Sequence, residues 1–289
     1  MNPELERRVV LREQNKSTKE AFMKEKRITK RTTWRAVFAV GVALLITLKA
    51  GLVTGAEGID PDAESILKSM SSYLGETKAF SVNADIDFEV VTRNGQKLQL
   101  SSFATVVLKR PAKFHFQRKG MIADAEFIFD GKTLTLHGKK RNVYAQIQVP
   151  GTIDDAIRAY ELETGIPAPG ADLLFADPYA ILSSGVVSSS YLGTAYVNGV
   201  ECHHLAFRED KVDWQLWVKV GDEPLPMKYV ITTKWHTAAP QYEIRFRDWD
   251  TNPQINDKRF TFSAPEGATR LETIPANEMD EFTSTEEGK

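Results

Sequence analysis

Phe80-Ser-Val-Asn-Ala-Asp-Ile-Asp-Phe-Glu-Val-Val-Thr92, then Asn94-Gly95, then Leu98-Gln-Leu-Ser-Ser-Phe-Ala-Thr-Val-Val-Leu108 is the stretch that decides the fold class. Val82, Ala84, Ile86, Phe88 and Val90 recur at every second position, the period of a half-buried strand. Asn-Gly between two such runs is a two-residue hairpin turn, because both central residues tolerate positive φ. Leu98 to Leu108 is therefore the return strand of an antiparallel pair.

The same pattern continues downstream. Lys113 to Arg118, Ala123 to Phe129, Thr133 to His137 and Val143 to Ile147 read as further strands, with a turn at Asp130-Gly131. After an interruption come Tyr191 to Tyr196, a turn at Asn198-Gly199, Val200 to Phe207, Asp213 to Val220, Lys228 to Lys234, Tyr242 to Trp249 and Arg259 to Phe262. Short strands at this spacing predict a mainly β fold: a curved antiparallel sheet or half-open barrel of about ten to eleven strands. Upstream, Asp60-Pro61 starts a helix that Gly75 stops, with Ala63, Ile66, Leu67, Met70, Tyr73 and Leu74 as its apolar stripe. In the interruption, Thr152 caps a helix from Ile153 to Leu162, closed by Gly165. Ala171 to Leu182 then reads as a second helix, or as two short ones broken at Pro178. Helices inserted in a sheet must bury their apolar stripes, and the concave face is the surface available.

The N-terminal region carries a different signal. Ala36 to Leu48 is a run of 13 uncharged residues between Arg35 and Lys49, preceded by Lys24, Lys26, Arg27, Lys30 and Arg31. That is the pattern of an export signal, with Thr54-Gly55-Ala56 as small residues before a cut at Glu57. Residues 36–56 read alternatively as an uncleaved anchor in the inner membrane, Lys49 snorkelling, which would give the protein membrane contact. Met23 offers an alternative start with a conventional basic region after it. The expected organisation is a basic leader with signal or anchor over 1–56, one domain over 57–273, and a disordered acidic tail over 274–289. The expected location is the periplasm.

Charge excludes one class of partner. The chain has 37 Lys/Arg and 39 Asp/Glu, of which 12 and 5 fall in the first 56 residues, leaving 25 and 34 for the rest. A body about nine charges negative is a poor binder of nucleic acid. Catalytic signatures are missing: there is no H-E-x-x-H, C-x-x-C, G-x-S-x-G or P-loop sequence. No metal, cofactor or catalytic residue is expected, and the protein reads as a non-enzyme. His203 and His204 are adjacent in a strand and so face opposite sides, which keeps them from sharing a metal. Cys202, the single cysteine, has no partner for a disulfide and reads as a buried structural thiol.

Asp130-Gly-Lys-Thr-Leu-Thr-Leu136 followed by Asn142-Val-Tyr-Ala-Gln146 resembles a hairpin of the LolA/LolB-like superfamily of lipoprotein localisation factors. Val200 to Phe207, Val212-Asp-Trp-Gln-Leu-Trp-Val218, Pro224-Leu-Pro-Met-Lys-Tyr-Val-Ile-Thr-Thr233 and Phe260-Thr-Phe-Ser-Ala-Pro-Glu-Gly-Ala268 together resemble the predicted periplasmic family called domain of unknown function 2092. The resemblance runs from about Pro61 to Thr273. It implies a curved sheet wrapped over helices, with a cavity that in better-understood relatives holds acyl chains. The expectation is a binding protein for a lipid, an acyl chain or a lipidated partner. The rival is an envelope interaction or sensor module of the same fold, with an envelope protein as partner. The candidate ligand-lining residues are Leu173, Leu174, Phe175, Tyr179, Ile181 and Leu182 of the apolar insert, with Trp214 and Trp217. The two tryptophans are three apart in a strand, so one of them faces inward and the other outward.

Overall fold

A computed structural model describes residues 58–121 and 124–272. The leader, the apolar run of residues 36–56, the cut before Glu57 and the acidic tail all lie outside the described residues.

The described chain begins with helix α1 (Pro61–Glu76), where the Asp60 carboxylate accepts from the backbone N–H groups of Asp62 and Ala63. The Asp60 carboxylate also accepts from Tyr191 N–H at 2.9 Å, which fixes the start of the helix to the sheet. Six strands follow: β1 (Ala79–Val91), β2 (Lys97–Lys109), β3 (Lys113–Gly120), β4 (Asp124–Phe129), β5 (Thr133–Gly138) and β6 (Val143–Gln148). The interruption holds α2 (Ile153–Thr164), a 3-10 turn at Ala171–Leu174, and α3 (Pro178–Leu182). Five more strands are β7 (Ser188–Val197), β8 (Val200–Arg208), β9 (Val212–Lys219), β10 (Pro226–Thr233) and β11 (Gln241–Asp250). A 3-10 turn at Asp257–Phe260 precedes a short β12 (Thr269–Arg270).

All twelve described strands form one curved open sheet in the order β12-β6-β5-β4-β3-β2-β1-β11-β10-β9-β8-β7. Consecutive strands pair with their chain neighbours in two meanders, and β1 joins the meanders by pairing with β11. The pairing is antiparallel except for β12, which lies parallel to β6. Twelve strands replace the ten to eleven expected. At the C-terminus one expected strand, Arg259 to Phe262, does not form, and an unexpected one, β12, does. There the Asn256 side chain accepts from Lys258 N–H and winds the chain into a turn. The alternating Phe260 and Phe262 bury against the sheet rather than pairing with it: Phe260 is buried, and Phe262 packs on His137 and Tyr144. The strand that does form, β12, is two residues long, too short to show a period.

The insert is two short pieces, and the break falls over residues 175–177, immediately before Pro178. Pro178 begins α3, a position where its missing N–H costs nothing, and Asp177 caps the new turn through Ala180 N–H. One face of the sheet carries the core with the helices on it. Leu205, Phe207, Trp214, Leu216 and Val218 share one buried cluster with Ala63, Leu67, Met70 and Leu74 of α1. Ile153, Ala156, Ile157 and Tyr160 of α2 belong to the same cluster, with Leu173, Phe175 and Leu182 of the insert. Cys202 is fully buried in a separate small cluster with Val197 and Met227, and burial pushes its thiol pKa up.

Candidate functional site

Where α2 and the turn after it lie over β1, β2, β3 and β11, packing is incomplete. A half-open apolar cavity of about 140 Å³ remains there. Its origin is in the register. Ala84 of β1 pairs with Ala104 of β2, Ala104 with Arg118 of β3, and Arg118 with Ala125 of β4. A row of alanines across strands whose neighbours are phenylalanine and valine leaves a hollow. Phe80, Phe114, Phe127, Phe246 and Trp249 wall the hollow on the sheet side. Ala156, Ile157 and Tyr160 of α2 cover it, with the stretch from Pro167 to Leu174.

That cover is tethered by polar contacts at several points. Arg110 donates to the carbonyl of Leu174 at 2.8 Å and to that of Leu74, at the end of α1, at 3.3 Å. Burial pushes the Arg110 guanidinium pKa down, and Asp154 opposes the shift. Asp154 Oδ1 accepts from Ala176 N–H at 3.0 Å, and Tyr179 Oη donates to Glu64 of α1 at 2.7 Å. Gly170, at φ +86°, could not be replaced without collision: a Cβ there would lie 2.5 Å from Ile244 Cδ1, in the cavity wall. Next to it Asp172 faces Tyr229 of β10, whose Oη stands 3.5 Å from Oδ2. Burial raises the Asp172 pKa to about 6, and Glu161 and Glu209 add to the shift. Burial likewise pushes Tyr229 well up and Glu209 up.

Of the eight residues proposed from sequence, Leu173 and Leu174 stand in the cavity wall. Phe175 and Leu182 are buried in the core beside it, and Ile181 and Tyr179 pack against that core half-buried. Trp214 is buried on the inner face, stacked 3.9 Å from Phe207, its Nε1 donating to Glu209 at 2.7 Å. Trp217 lies on the outer face, three residues on, and stacks 4.0 Å from His204 with Lys228 over its ring. His203 is on the other side, with its Nδ1 3.0 Å from Tyr191 Oη.

Sequence reasoning missed Arg118 and the alanine row. Arg118 is the charged side chain of the cavity wall and is only 3% exposed. A signal was present: Arg118 is in phase with Phe114 and Phe116, so it had to point inward with them. On the outer face, Glu126 lies 3.3 Å from His115 Nε2 and against Lys139 Nζ. The hydrogen bond with His115 and the Lys139 ammonium hold its carboxyl at about 2, well below the usual range, against the opposing effect of burial. That cluster sits under the C-terminal segment, across the sheet from the cavity.

A curved sheet holding an apolar, half-open cavity under a short helical cover defines a mainly β cavity fold. The chain belongs to the family described as predicted periplasmic protein (DUF2092), whose model matches residues 63–274. An uncharacterised protein of Methanocaldococcus jannaschii is 22% identical over 213 residues, 72% of this chain and 53% of that one. The chain thus spans about half the length of the curated relative it matches. Among solved structures, the chain is similar to the lipoprotein LppX of Mycobacterium tuberculosis, with 12% identity and a TM-score of 0.38, over 68% of this chain and 98% of that one. It is also similar to a LolA superfamily protein of Nitrosomonas europaea, with 11% identity and a TM-score of 0.36, over 69% and 97%. No helix among the described residues is long and apolar enough to cross a membrane.

Proposed function

We propose that this is a non-catalytic envelope binding protein that takes a single apolar chain, of a lipid or of a lipidated partner, into the cavity under the insert. The observation that carries this reading is the hollow itself. Close packing is the rule in protein interiors, and an apolar void of this size costs stability unless it is used. A dry cavity of about 150 Å³ is known to accept a benzene-sized ligand, so about 140 Å³ suits one chain segment and excludes a bulky diacyl lipid unless the cover moves. The tethers at Leu174 and Ala176 are the contacts that would have to give to admit a longer chain.

The test uses the full chain stripped of endogenous lipid, and an environment-sensitive fatty-acid probe. Wild type is expected to take up the probe saturably in the micromolar range. Ala104→Leu, which projects from the floor of the hollow, should abolish uptake while the protein still melts cooperatively. Absence of uptake by folded wild type would sink the reading. A specific observation favours a second one, the interaction or sensor module: β7 ends the sheet with Leu192 and Tyr196 exposed on it. That reading gains if the probe is refused.

A further inference from the structure

We infer that Arg118 is the head-group site of the cavity, and that the occupant is a single-chain amphiphile with an acidic oxygen head, a carboxylate or a phosphate. This rests on the binding reading above and adds the chemistry of the ligand. Arg118 projects inward from β3 between Ala104 and Ala125, its cross-strand neighbours. Its Nε donates to Ser102 Oγ at 2.8 Å. Its guanidinium carbon lies 5.0 Å from the centre of the Phe88 ring and 5.9 Å from that of Tyr242.

The direction matters. Phe88 pairs with Tyr242 and with Leu100, toward the β1–β2 hairpin tip, whereas the aromatic floor of Phe80, Phe246 and Trp249 lies at the other end of the strands. Leu98, beyond Leu100, is part-exposed. The guanidinium therefore stands on the hairpin side of the hollow, with apolar wall on the other side. Gly120 keeps this region narrow in bulk: opposite Ser102, a Cβ there would come within 2.6 Å of the Ser102 Cβ. Rings and a hydroxyl fix the fork of donors in place, which suits the bidentate recognition of carboxylate or phosphate. A guanidinium removed from water attracts an anion far more strongly than one on the surface. The arrangement, charge at one end and apolar hollow at the other, is the complement of an anionic amphiphile.

The experiment measures displacement of a neutral environment-sensitive probe from the full chain by dodecanoate, dodecyl phosphate, dodecanol and dodecylamine, with acetate and inorganic phosphate as chainless anions. Wild type should prefer the two anionic amphiphiles to dodecanol by at least about 10-fold, the size of a charged hydrogen bond. Dodecylamine should bind worst. Arg118→Met should bind dodecanoate no better than dodecanol, and Arg118→Lys should keep part of the preference. Cooperative melting of each variant shows that the fold is kept. Equal binding of dodecanoate and dodecanol by wild type, or a preference that survives in Arg118→Met, overturns the assignment while leaving the binding reading intact. Chainless anions competing as well as dodecanoate would overturn the amphiphile and leave a free-anion site. Refusal of dodecanol and every other amphiphile would instead mean that the binding reading itself had failed.

Discussion

Replacing Leu174 and Phe175 together with serine is expected to lower stability by at least ~3 kcal/mol and to abolish uptake of an apolar probe. Phe175 is buried in the core that joins insert and sheet, with the Arg158 guanidinium 5.6 Å from its ring centre. Leu174 stands in the cavity wall, and its carbonyl is the acceptor for Arg110. Burying a side chain of either kind is worth about 1.5–3 kcal/mol, and truncating a buried phenylalanine adds the cost of the void it leaves. In a domain of this size each kcal/mol moves the melting temperature by roughly 2–4 °C, so the change is plain in a thermal melt. Leu174→Ser alone separates the two effects, because it spares Phe175. It should reduce uptake more than it reduces stability. A double variant that melts like wild type would show that the insert is not packed as described.

The second large effect is a dependence on pH. The Asp172 carboxyl is raised to about 6 by burial, with Glu161 and Glu209 adding to it, from an ordinary value of 3.8. The sign follows from linkage. The unfolded chain ionises this group near pH 4 and the folded one near pH 6, so ionisation opposes folding. Stability owed to the neutral group is full below pH 4, falls between pH 4 and 6, and is gone above. Two units correspond to about 3 kcal/mol. Asp172→Asn removes the titration and keeps a polar partner for Tyr229. Urea unfolding should show the variant matching wild type near pH 4 and exceeding it by about 2–3 kcal/mol at pH 7.5. The difference between the two proteins isolates this group from other carboxylates. A difference that stays flat across that window would contradict the desolvated, half-buried placement of Asp172 beside Tyr229.

The sheet was legible because its signal is local. Alternation from Val82 to Val90 and the Asn94-Gly95 turn specify a hairpin wherever the chain then goes. α1 and α2 were legible for the same reason, from Asp60 and Thr152 as caps. The C-terminal segment misled because burial, and not pairing, spaced Phe260 and Phe262. The site was less legible, since a cavity is a property of register. Ala84, Ala104 and Ala125 are unremarkable alanines until strand pairing puts them in one row with Arg118. Asp172 was equally hidden, because its partner Tyr229 is 57 residues away and its environment is made by the fold. The insert was recognised as apolar, yet sequence could not divide Leu173 and Leu174, which line the hollow, from Phe175 and Leu182, which fill the core.

On the reading proposed above, the hollow under the insert holds one apolar chain. Native mass spectrometry of the full chain, purified from its native cells without added lipid, tests this. The expected spectrum shows a bound species heavier by the mass of one single-chain amphiphile, removed by organic extraction and missing from Ala104→Leu prepared in parallel. Wild type that appears only at its bare mass, under conditions that preserve weak complexes, would contradict the claim.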